Sequence, residues 1–453
     1  MYLHKFKLNN KNFVIDIASG SVHVVDDLTF EILKEDKKPN KEEILNKYAS
    51  TYSKEELIES YDEIKILEKE GMLYTEDQFE ELTEAIDQDV IKAMCLHVAH
   101  ACNLKCTYCF ASQGEYKGET ALMPLEVGKK ALEFLIEKSK NRYQLEVDFF
   151  GGEPLMNWDV VKELVYYGRE LEKTNHKKFR FTITTNGMLL DDEKIDFINE
   201  HMENVVMSLD GRKEINDKMR PGYGGASSYD VIVPKFQKLA EKRKKGSYFV
   251  RGTFTRNNLD FTKDVQHYYD LGFDITSLEP VVADPKCDYA IQKEDIPAIL
   301  KEYELLAETY VSLKKKNPKF MFYHFVIDMN EGPCIARKIS GCGAGNNYVA
   351  VTPNGEIYPC HQFVDDPSFR IGTLDEGLTN TDLMEKFKAV NIYTKEACKE
   401  CWAKFYCSGG CMASAYHRHG SFFEPDEVGC EMERKRVECA ITAYEAINCE
   451  GDE

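Results

Sequence analysis

Residues 100–110 read His100-Ala101-Cys102-Asn103-Leu104-Lys105-Cys106-Thr107-Tyr108-Cys109-Phe110. Cys102, Cys106 and Cys109 stand at C-x3-C-x2-C spacing. Three thiolates leave a structural zinc site one ligand short, because such a site takes four. They suit a [4Fe–4S] cube, whose irons are held by cysteine thiolates. Three irons would then be fixed by the protein and the fourth left open to a small molecule. Tyr108 places an aromatic ring beside that open corner. Spacing by itself establishes a three-thiolate site and nothing more.

Outward from this stretch, residues 93–282 alternate between strand and helix patterns. The strand candidates are 93–99, 145–150, 179–185, 205–210, 248–255 and 275–281, with helical periodicity near 124–140, 158–173, 191–201, 228–245 and 259–271. Pro124 stands where a first-turn proline belongs. Six βα units, with no signal for eight, predict a partial parallel barrel of TIM-like type. Such barrels carry their chemistry where strands end. The cysteine loop follows the first strand, Gly151-Gly152-Glu153-Pro154 the second and Asn186-Gly187 the third, while Asp210-Gly211 closes the fourth and Glu279 lies near the end of the sixth. Paired glycines let a ligand approach the backbone, and Glu153 can take a cationic amine.

These features together resemble the radical S-adenosylmethionine (SAM) enzymes. The resemblance implies that SAM chelates the open iron and is reductively cleaved to a radical that removes a hydrogen atom from substrate. It implies SAM contacts at Tyr108, Gly151, Gly152 and Glu153, at Ser208 on the ribose, and at Asn186 and Arg220, with Arg220 facing the cofactor carboxylate. Ordinary turn or cap roles are the alternative for Asn186, Ser208 and Arg220. No catalytic base is assigned.

Residues 1–90 read as a separate unit. Segments 6–17 and 21–26 form two or three strands around Gly20-Ser21, and amphipathic stretches follow at 28–35, 41–50 and 54–70. This pattern predicts a winged-helix-like α+β domain. Such folds often bind DNA, but the 90 residues hold 11 Lys, no Arg and 22 Asp plus Glu, a net charge of −11 that argues against nucleic acid. An exposed strand edge that captures an extended peptide is the better reading. The unit resembles the leader-peptide recognition element of peptide-modifying enzymes, with a structural cap as the alternative. Residues 75–90 are acidic and read as a linker or connecting helix. Beyond the barrel, 294–316 reads as a long charged helix ended by Asn317-Pro318, and Cys287 as a lone structural thiol.

From Cys334 onward cysteines crowd together. YVAVTPNGEIYPC (348–360) reads as a hairpin turning at Pro-Asn-Gly and delivering Cys360 from its second strand. Cys342-x12-Gly355-x4-Cys360 is followed by Cys398-x2-Cys401-x5-Cys407-x3-Cys411 and then Cys430. This order resembles the seven-cysteine SPASM domain. The resemblance implies two auxiliary [4Fe–4S] clusters, making three in all. Cys398, Cys401, Cys407 and Cys430 would hold the outer one, and Cys342, Cys360 and Cys411 the inner one. A fourth inner ligand could be Cys334, or the iron could stay open to a substrate thiolate. Two structural zinc sites are the alternative for this block, since C-x2-C pairs commonly bind zinc. Cys439 and Cys449 fall in a C-terminal helical pattern and read as non-ligands. Histidines near the cysteine groups, among them His97, His100 and His361, read as hydrogen-bonding neighbours.

The expected division is therefore 1–90, 91–315 and 316–453. The 15 cysteines, 11 of them at or after Cys287, suit metal chemistry in a reducing compartment better than disulfides. A net charge of −20 disfavours a phosphate-backbone partner. No run of ~18 apolar residues predicts a membrane span, and no apolar segment near the N-terminus predicts secretion, so a cytoplasmic protein is expected. The three-part order resembles the maturases of SCIFF peptides, which are Cys-rich precursors. It implies a thioether from a peptidyl Cys sulfur to a carbon of an acceptor residue, Thr being expected, with ferredoxin or flavodoxin as electron donor. The alternatives are an anaerobic sulfatase-maturating enzyme that makes formylglycine, and a zinc-binding adaptor without catalytic activity.

Overall fold

Asn9 and Asn10, at φ 50° and 59°, close a tight hairpin turn between β1 (Leu3–Leu8) and β2 (Lys11–Asp16). Asparagine tolerates this left-handed backbone because its short amide can hydrogen-bond locally. The stretch 6–17 is thus two strands, and β3 (Val22–Val25) makes a third, in the order β1-β2-β3. Three helices follow: α1 (Asp27–Ile32), α2 (Lys41–Tyr48) and α3 (Lys54–Lys69). The last begins in a capping box between Ser53 and Glu56, which satisfies two otherwise orphaned amides. The structure is a computed structural model that describes residues 1–85, 89–112, 116, 120–327, 335–364 and 366–449. Part of the stretch 75–90 is a short 3-10 helix, Phe79–Ala85.

The barrel strands are β4 (Ala93–His100), β6 (Gln144–Gly151), β7 (Lys178–Thr185), β8 (Asn204–Ser208), β9 (Ser247–Phe254) and β10 (Ile275–Pro280). They lie side by side in parallel, as six βα units require. Short β5 (Ala121–Leu122) pairs antiparallel with the end of β4. The crossovers are α4 (Leu125–Lys138), α5 (Trp158–Asn175), α6 (Asp192–His201), α7 (Lys213–Met219), α8 (Tyr229–Lys242) and α9 (Thr262–Asp270). Along β6, Leu145, Val147 and Phe149 face the helices, while Asp148 and Phe150 face inward. Among the crossover helices, α7 is the one the sequence pattern did not show. Seven residues ending before Pro221 are too short for clear periodicity, yet they bring Arg220 to the helix end.

The sheet does not stop at the barrel. After α10 (Ile296–Lys316), β11 (Met321–Phe322) joins β10 in parallel at one edge. At the other edge the hairpin expected over 348–360 forms as β12 (Tyr348–Val351) and β13 (Glu356–Tyr358). Its first arm pairs in parallel with β4. Then β14 (Gly372–Thr373) and β15 (Gly377–Leu378) continue antiparallel. One sheet therefore carries both the cysteine loop after β4 and the cysteine after β13.

The remaining helices are α11 (Ile335–Ser340), α12 (Thr381–Lys388), α13 (Glu396–Lys399), α14 (Lys404–Cys407), α15 (Met412–His419) and α16 (Glu427–Asn448). Helix α16 lies on α10, burying Val428, Met432, Cys439 and Ala443. Cys439 is thus a core residue and Cys449 an exposed one. The N-terminal sheet packs its Phe6, Phe13 and Ile15 against Trp402, Phe405, Val437 and Ile441, so it is seated on the cysteine-rich block. No described helix is long and apolar enough to cross a membrane.

Asp77 ties this seat together. It meets Lys404 at 2.8 Å and accepts from the Tyr393 hydroxyl at 2.9 Å. Burial would raise its carboxyl, but the hydrogen bonds from Lys404, the Phe79 amide and Tyr393 outweigh it and hold the group below the usual carboxylate range. Asp77→Asn leaves the buried Lys404 without its counter-ion. A destabilisation of about 1–3 kcal/mol is expected in urea titrations at pH 7. A lowered carboxylate stabilises above its unfolded value and loses that contribution as pH falls through the folded one. The gap between wild type and variant should therefore shrink below about pH 4.

Candidate iron–sulfur and SAM site

Gly151 decides how the second barrel strand ends. Its φ is 121°, and a Cβ there would lie 2.2 Å from the Ala99 carbonyl oxygen. That oxygen accepts from the Gly152 amide at 2.8 Å, and Ala101 O accepts from the Glu153 amide at 2.8 Å. Only glycine lets β6 close so tightly on β4. The contact sets the direction in which the chain enters the cysteine loop.

Glu153 is completely buried. Its Oε1 accepts from the Leu155 amide at 3.0 Å and from Thr185 Oγ1 at 2.7 Å, and its Oε2 accepts from the Asn186 amide at 2.8 Å. Burial pushes its carboxyl up to about 7 against these donors. The side chain thus braces the ends of β6 and β7, and the expected amine contact has to share these oxygens. Asn186 carries the brace onward, donating Nδ2 to Asn103 Oδ1 at 2.8 Å and towards Cys102 Sγ at 3.6 Å.

The cysteine loop docks on the end of α7. Lys105 N donates to Pro221 O at 3.0 Å and Thr107 N to Met219 O at 2.9 Å. This seats Tyr108 against Arg220, whose guanidinium lies 5.3 Å from the ring centroid. Both meet Asp210, which is fully buried. Tyr108 donates its hydroxyl to Asp210 Oδ2 at 2.7 Å, and Arg220 Nε is 3.0 Å from Oδ1. Arg220 thus forms a buried ion pair through Nε alone. The arginine keeps donor capacity for an anion. The Ser208 hydroxyl, at the end of β8, makes no hydrogen bond among the described residues, and Ser208 is paired in register with Arg251.

Cys102, Cys106 and Cys109 come together, each within electrostatic reach of the others. Burial pushes the Cys102 thiol up to about 11 and the Cys106 thiol up to about 12, with Arg220 opposing the latter. These are protonated thiols at neutral pH, so metal uptake must release protons. A thiol trio, a nearby arginine with a free donor and a glycine-lined backbone fit an iron–sulfur cluster with an amino-acid ligand.

The C-terminal cysteines fall into two further groups. Cys360 feels Cys342 and Cys411, and Cys407 and Cys430 each feel Cys398 and Cys401. Burial raises Cys360, Cys398 and Cys411, and pushes Cys407 and Cys430 up to about 12. Cys334 lies outside the described residues. No described group of three or more His, Cys, Asp or Glu side chains converges tightly enough for a single metal ion. His361 Nδ1 lies 3.8 Å from Cys360 Sγ and 3.2 Å from the Tyr348 hydroxyl, a neighbour's position.

Sequence reasoning placed Glu279 at a strand end but missed its partners in the polar lumen. Arg251 on β9 donates to Glu279 at 2.6 Å, and His324 shares this corner, 3.9 Å from Glu279 and 3.0 Å from Ser277 Oγ. Burial would raise Glu279, but Arg251, His324 and Arg436 bring it down to about 2. A charged residue inside the apolar run YFVRGTFT was the available signal.

Comparison with known proteins agrees with this layout. Residues 96–257 match the model of the radical SAM superfamily, and residues 342–402 that of SPASM, an iron–sulfur cluster-binding domain. The chain is 23% identical over 378 residues to the radical SAM cyclopropyl synthase TigE of Paramaledivibacter caminithermalis, covering 79% of this chain and 76% of that one. It is 27% identical over 338 residues to a cysteine-type anaerobic sulfatase-maturating enzyme of Clostridium perfringens, covering 68% and 85%. Among solved structures, native anSMEcpe with bound AdoMet superposes with a TM-score of 0.64 at 21% identity, over 79% of this chain and 99% of that one. Streptococcus suis SuiB bound to precursor peptide SuiA gives a TM-score of 0.53 at 16% identity, over 94% and 98%. The structural likeness is one of fold: a radical SAM α/β partial barrel followed by a SPASM domain.

Gly151→Ala meets both the Ala99 carbonyl and a strained φ, so a loss of about 2–6 kcal/mol is expected by chemical denaturation. Gly20, at φ 77° with open space around it, serves as control, and Gly20→Ala should lose only about 1–2 kcal/mol. Asp210→Asn leaves Arg220 buried without its counter-ion and should cost about 3–5 kcal/mol. Asp230→Asn, at an exposed pair with Lys213, should leave the unfolding midpoint in place.

Proposed function

We propose that this chain, a radical SAM domain joined to a SPASM iron–sulfur domain, crosslinks a Cys-rich precursor peptide made on the ribosome. The bond formed is a thioether from a peptidyl Cys sulfur to a carbon of an acceptor residue, Thr being the expected one. The carrying observation is the N-terminal sheet. Its β3 edge pairs with no strand among the described residues, while its other face is seated on the cysteine-rich block. An extended leader can add to such an edge and lead the following residues towards the barrel mouth. SuiB, a structural neighbour, has been solved bound to its precursor peptide, and anSMEcpe with bound AdoMet and a peptide.

Three [4Fe–4S] clusters and SAM would supply an electron, a SAM-derived radical that takes a substrate hydrogen atom, and an acceptor for the electron left when sulfur and carbon join. Cys102, Cys106 and Cys109 would hold the first cluster, Cys342, Cys360 and Cys411 the inner auxiliary one, and Cys398, Cys401, Cys407 and Cys430 the outer one. Cys334 is a candidate fourth inner ligand. The protein's own part is placement. Asp210 fixes Tyr108 and Arg220 at the mouth, and Arg220 faces the SAM carboxylate. The backbone of Gly151 and Gly152, with Glu153 behind it, shapes the amine side, and Ser208 offers its hydroxyl to the ribose. Asn186 steadies the cysteine loop. The Arg251–Glu279 pair lines the inner wall with balanced charge. Ferredoxin or flavodoxin would deliver electrons, and the free thiols suit the reducing cytoplasm.

A second reading, formylglycine formation in a sulfatase, is favoured by the identity to the Clostridium perfringens maturating enzyme over 68% of this chain. Anaerobic incubation with SAM, a reductant and the Cys-rich peptide encoded beside the gene separates the two. Tandem mass spectrometry should show two hydrogens lost per crosslink and cysteines that resist alkylation. An aldehyde on a sulfatase-derived peptide, with the Cys-rich peptide unchanged, would establish the second reading instead. Protein purified anaerobically should be brown, with about twelve irons per chain. A colourless, zinc-loaded protein would rule out both.

A further inference from the structure

Between the two auxiliary cysteine groups runs Cys407-Ser408-Gly409-Gly410-Cys411. Ser408, Gly409 and Gly410 all have positive φ, at 60°, 87° and 72°. Three consecutive left-handed residues turn the chain back sharply, so one short segment serves the outer group with Cys407 and the inner group with Cys411. The side chain of Lys395 crosses to this turn and donates Nζ to Gly409 O at 2.7 Å. Lys395 is only 1% exposed. Its own carbonyl accepts from the Cys398 amide at 2.9 Å, so the same residue also fixes the turn that carries an outer cysteine. Lys395, Gly409, Gly410, Met412 and Cys342 line one small cavity on the inner side.

A buried ammonium is costly unless an anion balances it. No described carboxylate pairs with Lys395. Its two hydrogen bonds reach both groups: Gly409 O stands two residues from Cys407 and from Cys411, and the Cys398 amide belongs to an outer cysteine. Arg434 also reaches the outer group, at Cys401, but it is paired with Glu431 and partly exposed. We propose that Lys395 is the shared counter-charge of the two auxiliary clusters and raises the reduction potential of both. A fixed positive charge favours the more negative, reduced form of a cluster, and the protein sets such potentials through charge and burial. This rests on the reading that both cysteine groups hold clusters.

The test is an EPR-monitored redox titration of the intact chain, with iron counted per protein, for wild type, Lys395→Gln and Lys395→Arg. Gln keeps a donor for Gly409 and removes the charge, whereas Arg keeps both. Both auxiliary midpoints should move to more negative potential in the Gln variant and hold in the Arg variant. The cluster at Cys102, Cys106 and Cys109 should not move in either. A Gln variant that fails to load auxiliary iron, beside an Arg variant that loads fully, also supports the proposal. Auxiliary clusters present with unmoved midpoints in Lys395→Gln, or equal shifts in both variants, overturn it while leaving the proposed function standing. Wild-type protein without auxiliary iron overturns both.

Discussion

Strand β4 is paired on both of its edges, and the arrangement of cofactor sites depends on that pairing. On one side β6 runs parallel to it and ends in the close contact between Gly151 and Ala99. On the other side β12 runs parallel to it and leads, through β13, to Cys360. Hydrogen bonds along an extended backbone fix register as well as proximity, since a slip by one residue would turn every side chain to the other face. The loop after β4 and the cysteine after β13 are therefore held at a set separation by one sheet.

Charge balance is the second organising constraint. The cysteine groups are half-buried, with few cations beside them, and desolvation raises most of their thiols. Uncompensated thiolates there would be costly, so cations beside them matter more than surface pairs do. Arg220 stands at the first group, held by Asp210, and Lys395 stands between the other two. The acidic surface plays no part in this balance. It lies in high dielectric, where salt screens it.

The N-terminal unit adds a third layer. Its β-sheet has two apolar faces: one covered by its own helices through Leu3, Val14 and Leu28, the other by the cysteine-rich block. A sheet buried on both faces cannot swing freely. A peptide added at the β3 edge would be delivered along one direction.

Much of this was legible in the sequence because local periodicity and local spacing encode it. The six barrel strands, the helices between them and the hairpin over 348–360 all carry their own two-residue or helical repeat, and the cysteine groups carry fixed short spacings. Helix α7 and the Asn9-Asn10 turn were not legible, the first for want of length and the second because asparagine at positive φ looks like any polar residue. What the chain by itself determined is the inventory: a partial barrel, a small βββααα unit and three sets of thiols. Only tertiary structure decided that β12 extends the barrel sheet, that Glu153 is a buried brace, that Asp210 gathers Tyr108 and Arg220, and that Lys395 reaches two cysteine groups at once. These are contacts between residues far apart in the chain, set by packing and by the need to satisfy buried charge, and no local pattern records them.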